Sequence, residues 1–561
     1  MVQHAADRIP EYLNPHNFTS LPQLLDYLSQ RYGERPAFTS FGQTLSFRQL
    51  DRLSAAFAGY LQQQTSLEPG DRIAIQLPNL IQYPVVLFGA LRAGLVVVNT
   101  NPLYTPAEMR HQFRDAGVKA LVVHRSMAGK VEAILDQVEL DYIFTTQVGD
   151  LHDPIRRVLL NAAVKYLKKM EPAYCLPTEL PLLEALNMGR KSRFRPMDYQ
   201  PGDLAVLQYT GGTTGVAKGA MLTHANLISN MLQAQQLLDR APKGWQELVV
   251  APLPLYHIYA FLISLVVMSS GGHSLLITNP RDLNGFVATL KKASPTAFIG
   301  LNTLFVALCG LPAFRALDFS RLRLTVSGGM ALTQAAADQW HQVTGCPVTE
   351  GYGLTEASPV VAFNPPDAVR FGTIGVPMAA SEVKVVDQQH VRVNDGEKGM
   401  LCVRGPQVMK GYWRKPKATA KAFTADGYLI TGDIAIQEAD GYLRIVDRAK
   451  DVIIVSGFNV YPAEVEDRVC THPDVIECAA IGVPDEHSGE VVQLYVVLRE
   501  GAQLDEAAVI DWCAEHLARY KIPRRVIAVT ELPKTNVGKV LRRELRDQAV
   551  QSKAADQQRA S

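Results

Sequence analysis

Over roughly the first 380 residues, short runs rich in Val and Ile recur between stretches of helical periodicity. The runs include "RIAIQLP", "GLVVVNT", "ALVVH", "ELVVAPLP", "TAFIG" and "LRLTVSGG", and "TPAEMRHQFRDAG" is a typical intervening helix. Strands that alternate with helices pair side by side through crossovers, so largely parallel sheets covered by helices are predicted: an α/β fold. After about Ala380 the texture changes to closely spaced strands and turns, "SEVKVVD", "GMLCVRG", "GYLITGD" and "GYLRIVD", which predict antiparallel hairpins. A second shift falls at "DRAKD", beyond which about a hundred residues carry their own strand and helix pattern. The expected organisation is a large N-terminal domain over residues 1–447, with a β-rich subdomain from about 380. A small mobile α+β domain follows over 448–548, with a hinge near 448–451 and a polar tail over 549–561 that is expected to fray.

A chain of 561 residues exceeds what one core serves, which agrees with more than one domain. The net charge of +1 offers no bulk attraction for nucleic acid or an anionic membrane, so any membrane contact has to be local. The seven cysteines form no C-x-x-C pair, which argues against a zinc site or a disulfide framework and fits a reducing cytoplasm. The first twenty residues lack the apolar run of a signal peptide. Residues 248–280 carry no Asp, Glu, Lys or Arg, but their apolar run "IYAFLISLVVM" is 11 residues long. A spanning helix needs about 20, so a buried helix followed by the strand "HSLLIT" is predicted.

The segment "QYTGGTTGVAKGAMLTH", 208–224, joins a predicted strand to a predicted helix, "HANLISNMLQAQQLL". Its glycines let backbone N–H groups converge on an anion, Thr210, Thr213 and Thr214 add hydroxyl donors, and Lys218 adds charge. Phosphate is the expected guest. A Walker A loop is excluded, because Lys218 is followed by Gly219 and no hydroxyl stands where such loops hold Mg²⁺.

Together with "EGYGLTEAS", "YLITGDIA", "LRIVDRAKDVIIVSGFNVYPAEVE" and "LPKTNVGKVLRREL", this segment resembles the acyl-adenylate-forming (ANL) superfamily, and most closely the bacterial long-chain fatty-acid:CoA ligases. The resemblance runs from about Pro10 to Gln548. It implies that a carboxylate attacks the α-phosphate of ATP, pyrophosphate leaves, and the thiol of CoA captures the acyl-adenylate. It further implies a phosphate grip from Thr210, Gly211, Gly212, Thr213, Thr214 and Gly215 with Lys218, an α-phosphate contact from Thr355, and a Mg²⁺ ligand in Glu356. Gly328, Gly329, Met330, Glu350, Gly351 and Tyr352 match the adenine pocket, while Asp433 and Arg448 match the ribose side. Lys539 matches the catalytic lysine, which has to be brought in for adenylation and removed before CoA enters, with Lys450 at the hinge. His257 matches the aromatic position at the mouth of the acyl pocket, walled by 248–280 and "IGLNTLFVALCG"; Gly457 and Phe458 are candidates near the CoA path.

Two positions depart from the family pattern: Ala449 in "DRAKD", where near relatives carry Lys, and Ile430 before "TGD", where many carry His. They bear on hinge behaviour rather than reaction type. The implied partners are a long- or medium-chain fatty acid, ATP and CoA, with no nucleic acid, and the implied setting is fatty-acid β-oxidation. Reversible peripheral contact with the inner face of the cytoplasmic membrane is a further expectation from substrate and family. The residues do not fix the oligomeric state, and a homodimer is compatible with them. Two alternatives stay open: a fatty-acyl-AMP ligase that loads a carrier protein, and a lipid-binding protein that holds nucleotide structurally.

Overall fold

A computed structural model describes residues 7–192, 194–210, 217–485, 487–535 and 538–560. Among them the chain divides into two compact units: residues 7–210, 217–382 and 404–427 form the first, and residues 383–403 and 428–560 the second.

The first unit is built on two sheets. In the seven-stranded one the order is Glu179–Pro181, Tyr142–Thr146, Val118–His124, Arg72–Gln76, Val96–Asn99, Leu204–Thr210, Lys218–Thr223, and every pairing but the last is parallel. Ile73, Ala74 and Ile75 are fully buried, as they must be in a strand covered on both faces, and this is why its sequence is a continuous apolar run. The nine-stranded sheet has a parallel centre that includes Val249–Ala251, Ala297–Gly300, Leu324–Ser327 and Val348–Gly353. Helices cover both sheets, and their ends follow from local chemistry. In Pro106–Ala116, Thr105 and Glu108 form a reciprocal capping box, and Gly117 ends the helix in the left-handed region.

The uncharged stretch folds as predicted. Its helix, Ile258–Ser269, is buried along all but its last residue and is followed by the strand Ser274–Leu276. Among the described residues no helix is long and apolar enough to cross a membrane.

In the second unit, the strands Glu382–Val386, Lys398–Arg404, Leu429–Gln437 and Leu443–Arg448 form the predicted antiparallel hairpins. This four-stranded sheet belongs to the same compact unit as the C-terminal segment. A five-stranded sheet follows, built on the long hairpin Val475–Asp485 and Gly489–Leu498. The helix Arg542–Ala560 runs on into the polar tail. Its Ala, Gln and Lys residues are good helix formers, and Leu545 and Ala549 anchor the helix against Ala479, Ile481 and Tyr495.

Candidate active site

In the first unit, the predicted phosphate loop connects two antiparallel strands in which Thr210 pairs with Lys218. Gly211, Gly212, Thr213, Thr214 and Gly215 lie outside the described residues. The segment around Tyr412 extends this edge through Met221 N–H donating to Gly411 O (2.9 Å) and Trp413 N–H to Gly219 O (2.8 Å). Tyr412 thereby sits under the Lys218 ammonium, 5.0 Å from the ring centroid, in cation–π range. Its hydroxyl donates to Glu356 Oε1 at 2.7 Å. Thr355 and Glu356 occupy a single 3₁₀ turn, Thr355–Ala357, lying against both hairpin strands. Met409 N–H donates to the Glu356 carbonyl (2.8 Å). Burial and the Glu356 charge push the Tyr412 phenol well above its usual range, so it remains a donor at every ordinary pH.

Sequence reasoning missed Tyr412. It stands 56 residues from Glu356, and only the added strand edge brings the two together.

The second cluster of this unit lies where parallel strands end at their carboxyl edges, the usual ligand crevice of such sheets. Ser327 pairs with Glu350, so Gly328, Gly329 and Met330 leave one strand beside Glu350, Gly351 and Tyr352 on the next. Burial pushes the Glu350 carboxyl up to about 7, against one opposing hydrogen bond from Leu332 N–H at 3.3 Å. Tyr259, whose ring would lie 3.0 Å from a Cβ on Gly328, keeps a buried hydroxyl without a partner among the described residues, as does Ser327.

His257 caps the apolar helix: its Nδ1 accepts from Tyr259 N–H at 3.3 Å, and burial pushes the imidazole down to about 4, so it is neutral at pH 7. Behind it, between this helix and the sheet, lies a narrow apolar cavity of about 10 Å³, lined by Val249, Leu253, Ala260, Ile263, Val267 and Ile299, with Ser264 among its few polar neighbours. The Ser264 hydroxyl donates to the Phe261 carbonyl at 2.7 Å, so the wall presents hydrocarbon. From "IGLNTLFVALCG", only Ile299 lines this cavity.

In the second unit the sequence-selected residues also converge. Asp433 pairs directly with Arg448 across the hairpin, and Arg448 Nε meets the buried Asp433 Oδ1 at 2.8 Å. Lys539 is held by a tight turn in which Thr535 N–H donates to the Lys539 carbonyl (2.8 Å) and Lys539 N–H to Thr535 Oγ1 (3.1 Å). Burial first, then the charges of Arg448 and Lys450, push its ammonium down to about 8; Asp433 and Asp451 oppose them. Burial likewise lowers Lys450. Ala449 contributes its N–H to Gly432 O (3.0 Å), a contact that any side chain permits. Ile430 packs on Val386, Cys402 and Tyr428, an apolar site that suits Ile. Gly457 and Ser456, both at positive φ, turn the hairpin Ile453–Val455 to Phe458–Val460. Phe458 is exposed and stacks on Tyr520 with ring centroids 4.8 Å apart.

Among the described residues, no three His, Cys, Asp or Glu side chains are placed to hold a metal ion. Glu356 is a hard oxygen donor with one carboxylate oxygen oriented by Tyr412. That fits Mg²⁺, which usually takes one or two protein carboxylates and completes its shell with phosphate and water oxygens.

A family described as AMP-binding enzyme matches residues 25–413, and the AMP-binding enzyme C-terminal domain matches 464–539. The chain belongs to the AMP-binding enzyme family. Among curated relatives of this AMP-binding enzyme, the long-chain-fatty-acid–CoA ligase of Salmonella typhimurium is 48% identical over 543 residues, 96% of each chain. The ligase of the same name from Yersinia pestis is 46% identical over 550 residues, 98% of each. Among solved structures, ATP-bound MatB from Rhodopseudomonas palustris superposes with a TM-score of 0.81 at 30% identity, covering 94% of this chain and 98% of the other.

If Glu356 holds Mg²⁺ with Tyr412 orienting it, Tyr412→Phe removes a hydrogen bond to a charged group, a loss of about 1.5 kcal/mol or more. The expected result is a roughly tenfold rise in the Mg²⁺ concentration needed for half-maximal activity. A titration of activity against Mg²⁺ reads it.

Glu350 carries a stability prediction. The native state keeps its proton up to about pH 7, whereas the unfolded chain releases it near 4.5, so stability falls as pH rises through this window. Glu350→Gln removes the cost, on the order of 3 kcal/mol at most. Thermal melts are expected to show the variant gaining on the wild type between those two pH values and no further above them.

Proposed function

We propose that this chain is an ATP- and Mg²⁺-dependent long-chain fatty-acid:CoA ligase that supplies acyl-CoA for fatty-acid degradation. The observation that carries the reading is likeness to ligases of that name over nearly the whole of both chains, at 46–48% identity. The fatty-acid carboxylate attacks the α-phosphorus of ATP, the bond to the β-phosphate bridging oxygen breaks, and pyrophosphate leaves. The thiolate of CoA then attacks the acyl carbonyl, and AMP departs with the electron pair of the broken acyl–oxygen bond.

In this reading Thr355 and Lys218, with the phosphate loop 210–215, bind the triphosphate, and Glu356, aimed by Tyr412, holds Mg²⁺. The ion, when bound, supplies charge neutralisation at the phosphates. Lys539 supplies a positive charge at the attacking carboxylate and the α-phosphate. Asp433 accepts from the ribose hydroxyls beside Arg448; residues 328–330 and 350–352 line the adenine. His257 and the apolar residues around the narrow cavity line the path of the acyl chain, and Gly457 and Phe458 border the CoA path.

The hinge near 448–451 is part of the same proposal. Lys450→Pro is expected to slow thioester formation more than adenylation; equal slowing of both half-reactions contradicts it. We also propose reversible contact with the inner face of the cytoplasmic membrane, where the substrate partitions.

The reading is tested by following AMP and pyrophosphate from ATP and Mg²⁺. Both are expected only when fatty acid is present, with turnover depending on CoA. A lipid-binding protein that holds nucleotide structurally releases neither.

A further inference from the structure

The segment Pro154–Leu167 consists of the helix Pro154–Ala162 and a π-helical continuation, Ala163–Leu167, and no residue of either is buried. Its orientation is inverted relative to an ordinary surface helix. At a 3.6-residue period Arg157, Leu160, Asn161 and Val164 share one face, and these are among the half-buried ones. Asn161 ties that face to the body: its amide donates to Asp150 Oδ1 (3.1 Å) and accepts from Gly149 N–H (2.8 Å). A Cβ on Gly149 would lie 2.8 Å from Asn161 Oδ1 and 2.9 Å from the Arg157 carbonyl, so the close approach requires glycine.

The opposite face carries Ile155, Val158 and Leu159, the continuation adds Tyr166 and Leu167, and Met170 follows just beyond it; all six are exposed, Ile155 at 75% and Leu167 at 81%. The helix thus docks through a polar side chain and presents its hydrocarbon to water. Nothing in the packing of the described residues explains that arrangement.

Charge narrows what would cover it. Residues 154–170 contain Arg156, Arg157, Lys165, Lys168 and Lys169 and no acidic residue, in a chain whose net charge is only +1. Arg156 reaches the neighbouring hairpin tip, its guanidinium 3.5 Å from Gly42 O, next to the exposed Phe41. An apolar stripe bordered by long basic side chains matches a helix lying in the plane of an anionic bilayer, with the stripe among the acyl chains and the cations at the phosphates. We propose that residues 154–170, with Phe41 at their edge, form a docking surface for an anionic phospholipid membrane. The inference specifies the surface for the membrane contact proposed above and does not depend on the ligase reaction.

The test is cosedimentation of the full chain with phosphatidylglycerol-containing vesicles and with pure phosphatidylcholine vesicles, without nucleotide, CoA or fatty acid. Leaving out those reactants separates its failure from failure of the ligase reading. The expected result is binding to the anionic vesicles that weakens with salt and falls about tenfold or more in Leu159→Glu/Leu167→Glu. A triple Lys165, Lys168 and Lys169 to Gln variant is expected to lose the salt dependence together with most of the binding. These side chains are exposed, so circular dichroism and melting temperature should be unchanged. Equal sedimentation of wild type and variants, or equal binding to both lipids, overturns the proposal. So does self-association without vesicles that the Glu variant abolishes, which would assign the face to a second copy of the chain.

Discussion

Lys539→Ala is expected to lower fatty-acid-dependent pyrophosphate formation by about 10²–10³-fold, the usual effect of removing one preorganised charge from a developing transition state. Thioester formation from supplied acyl-adenylate is expected to persist, because that step breaks no phosphoanhydride bond. The physical basis is the environment of the ammonium. Burial and the charges of Arg448 and Lys450 depress it to about 8, with Asp433 and Asp451 preventing a further fall. A lysine so placed is incompletely solvated and interacts strongly with an arriving anion.

The same value fixes a pH dependence. In the proposed reading adenylation uses the ammonium, which the side chain carries below about 8; as pH rises through that value the charge is lost and adenylation is expected to decline. Lys539→Arg keeps its charge at any working pH, so whatever activity it retains is expected to lack this alkaline limb. Rapid-quench measurement of the two half-reactions across pH separates these effects from a general loss of folding, which would lower both.

The second large effect concerns chain length. Ala260 lines the apolar cavity beneath the helix Ile258–Ser269, two residues into the element that His257 caps. Ala260→Phe puts a ring where, in the proposed reading, the narrow cavity has to open to receive the distal acyl chain. Each methylene denied burial loses about 0.8 kcal/mol, so displacing about three shifts selectivity toward shorter acids by roughly 50-fold in kcat/KM. Ratios of kcat/KM for acids of graded length, run in competition, read the shift. A uniform fall at every length would place the acyl chain elsewhere.

What the sequence revealed and what it concealed divide along physical lines. Alternating apolar runs and helical periods identified the parallel sheets, because a strand buried on both faces, such as Arg72–Gln76, has to be apolar throughout. The helix within 248–280 was legible from its length and its interruptions. The contact of Arg448 with Asp433 was not, since it depends on the hairpin register, which only the intervening turn and bulge determine. Tyr412 was hidden for a related reason: it acts from a segment without periodicity that joins a sheet edge through backbone hydrogen bonds. The packing of the helix Arg542–Ala560 was hidden because its anchoring residues, Leu545 and Ala549, were indistinguishable from ordinary surface positions. The exposed apolar face of Pro154–Ala162 was missed because an amphipathic pattern does not reveal which of its faces meets the protein; that was decided by Asn161.

The most direct test of the proposed ligase activity is to supply ATP, Mg²⁺ and fatty acids of graded length, with and without CoA, and to identify the acyl products by mass spectrometry. The expected product is acyl-CoA, formed only with CoA present and most efficiently from long chains, with AMP and pyrophosphate in equal amounts. Accumulation of acyl-adenylate with no thioester in the presence of CoA would contradict it and favour transfer to a carrier protein.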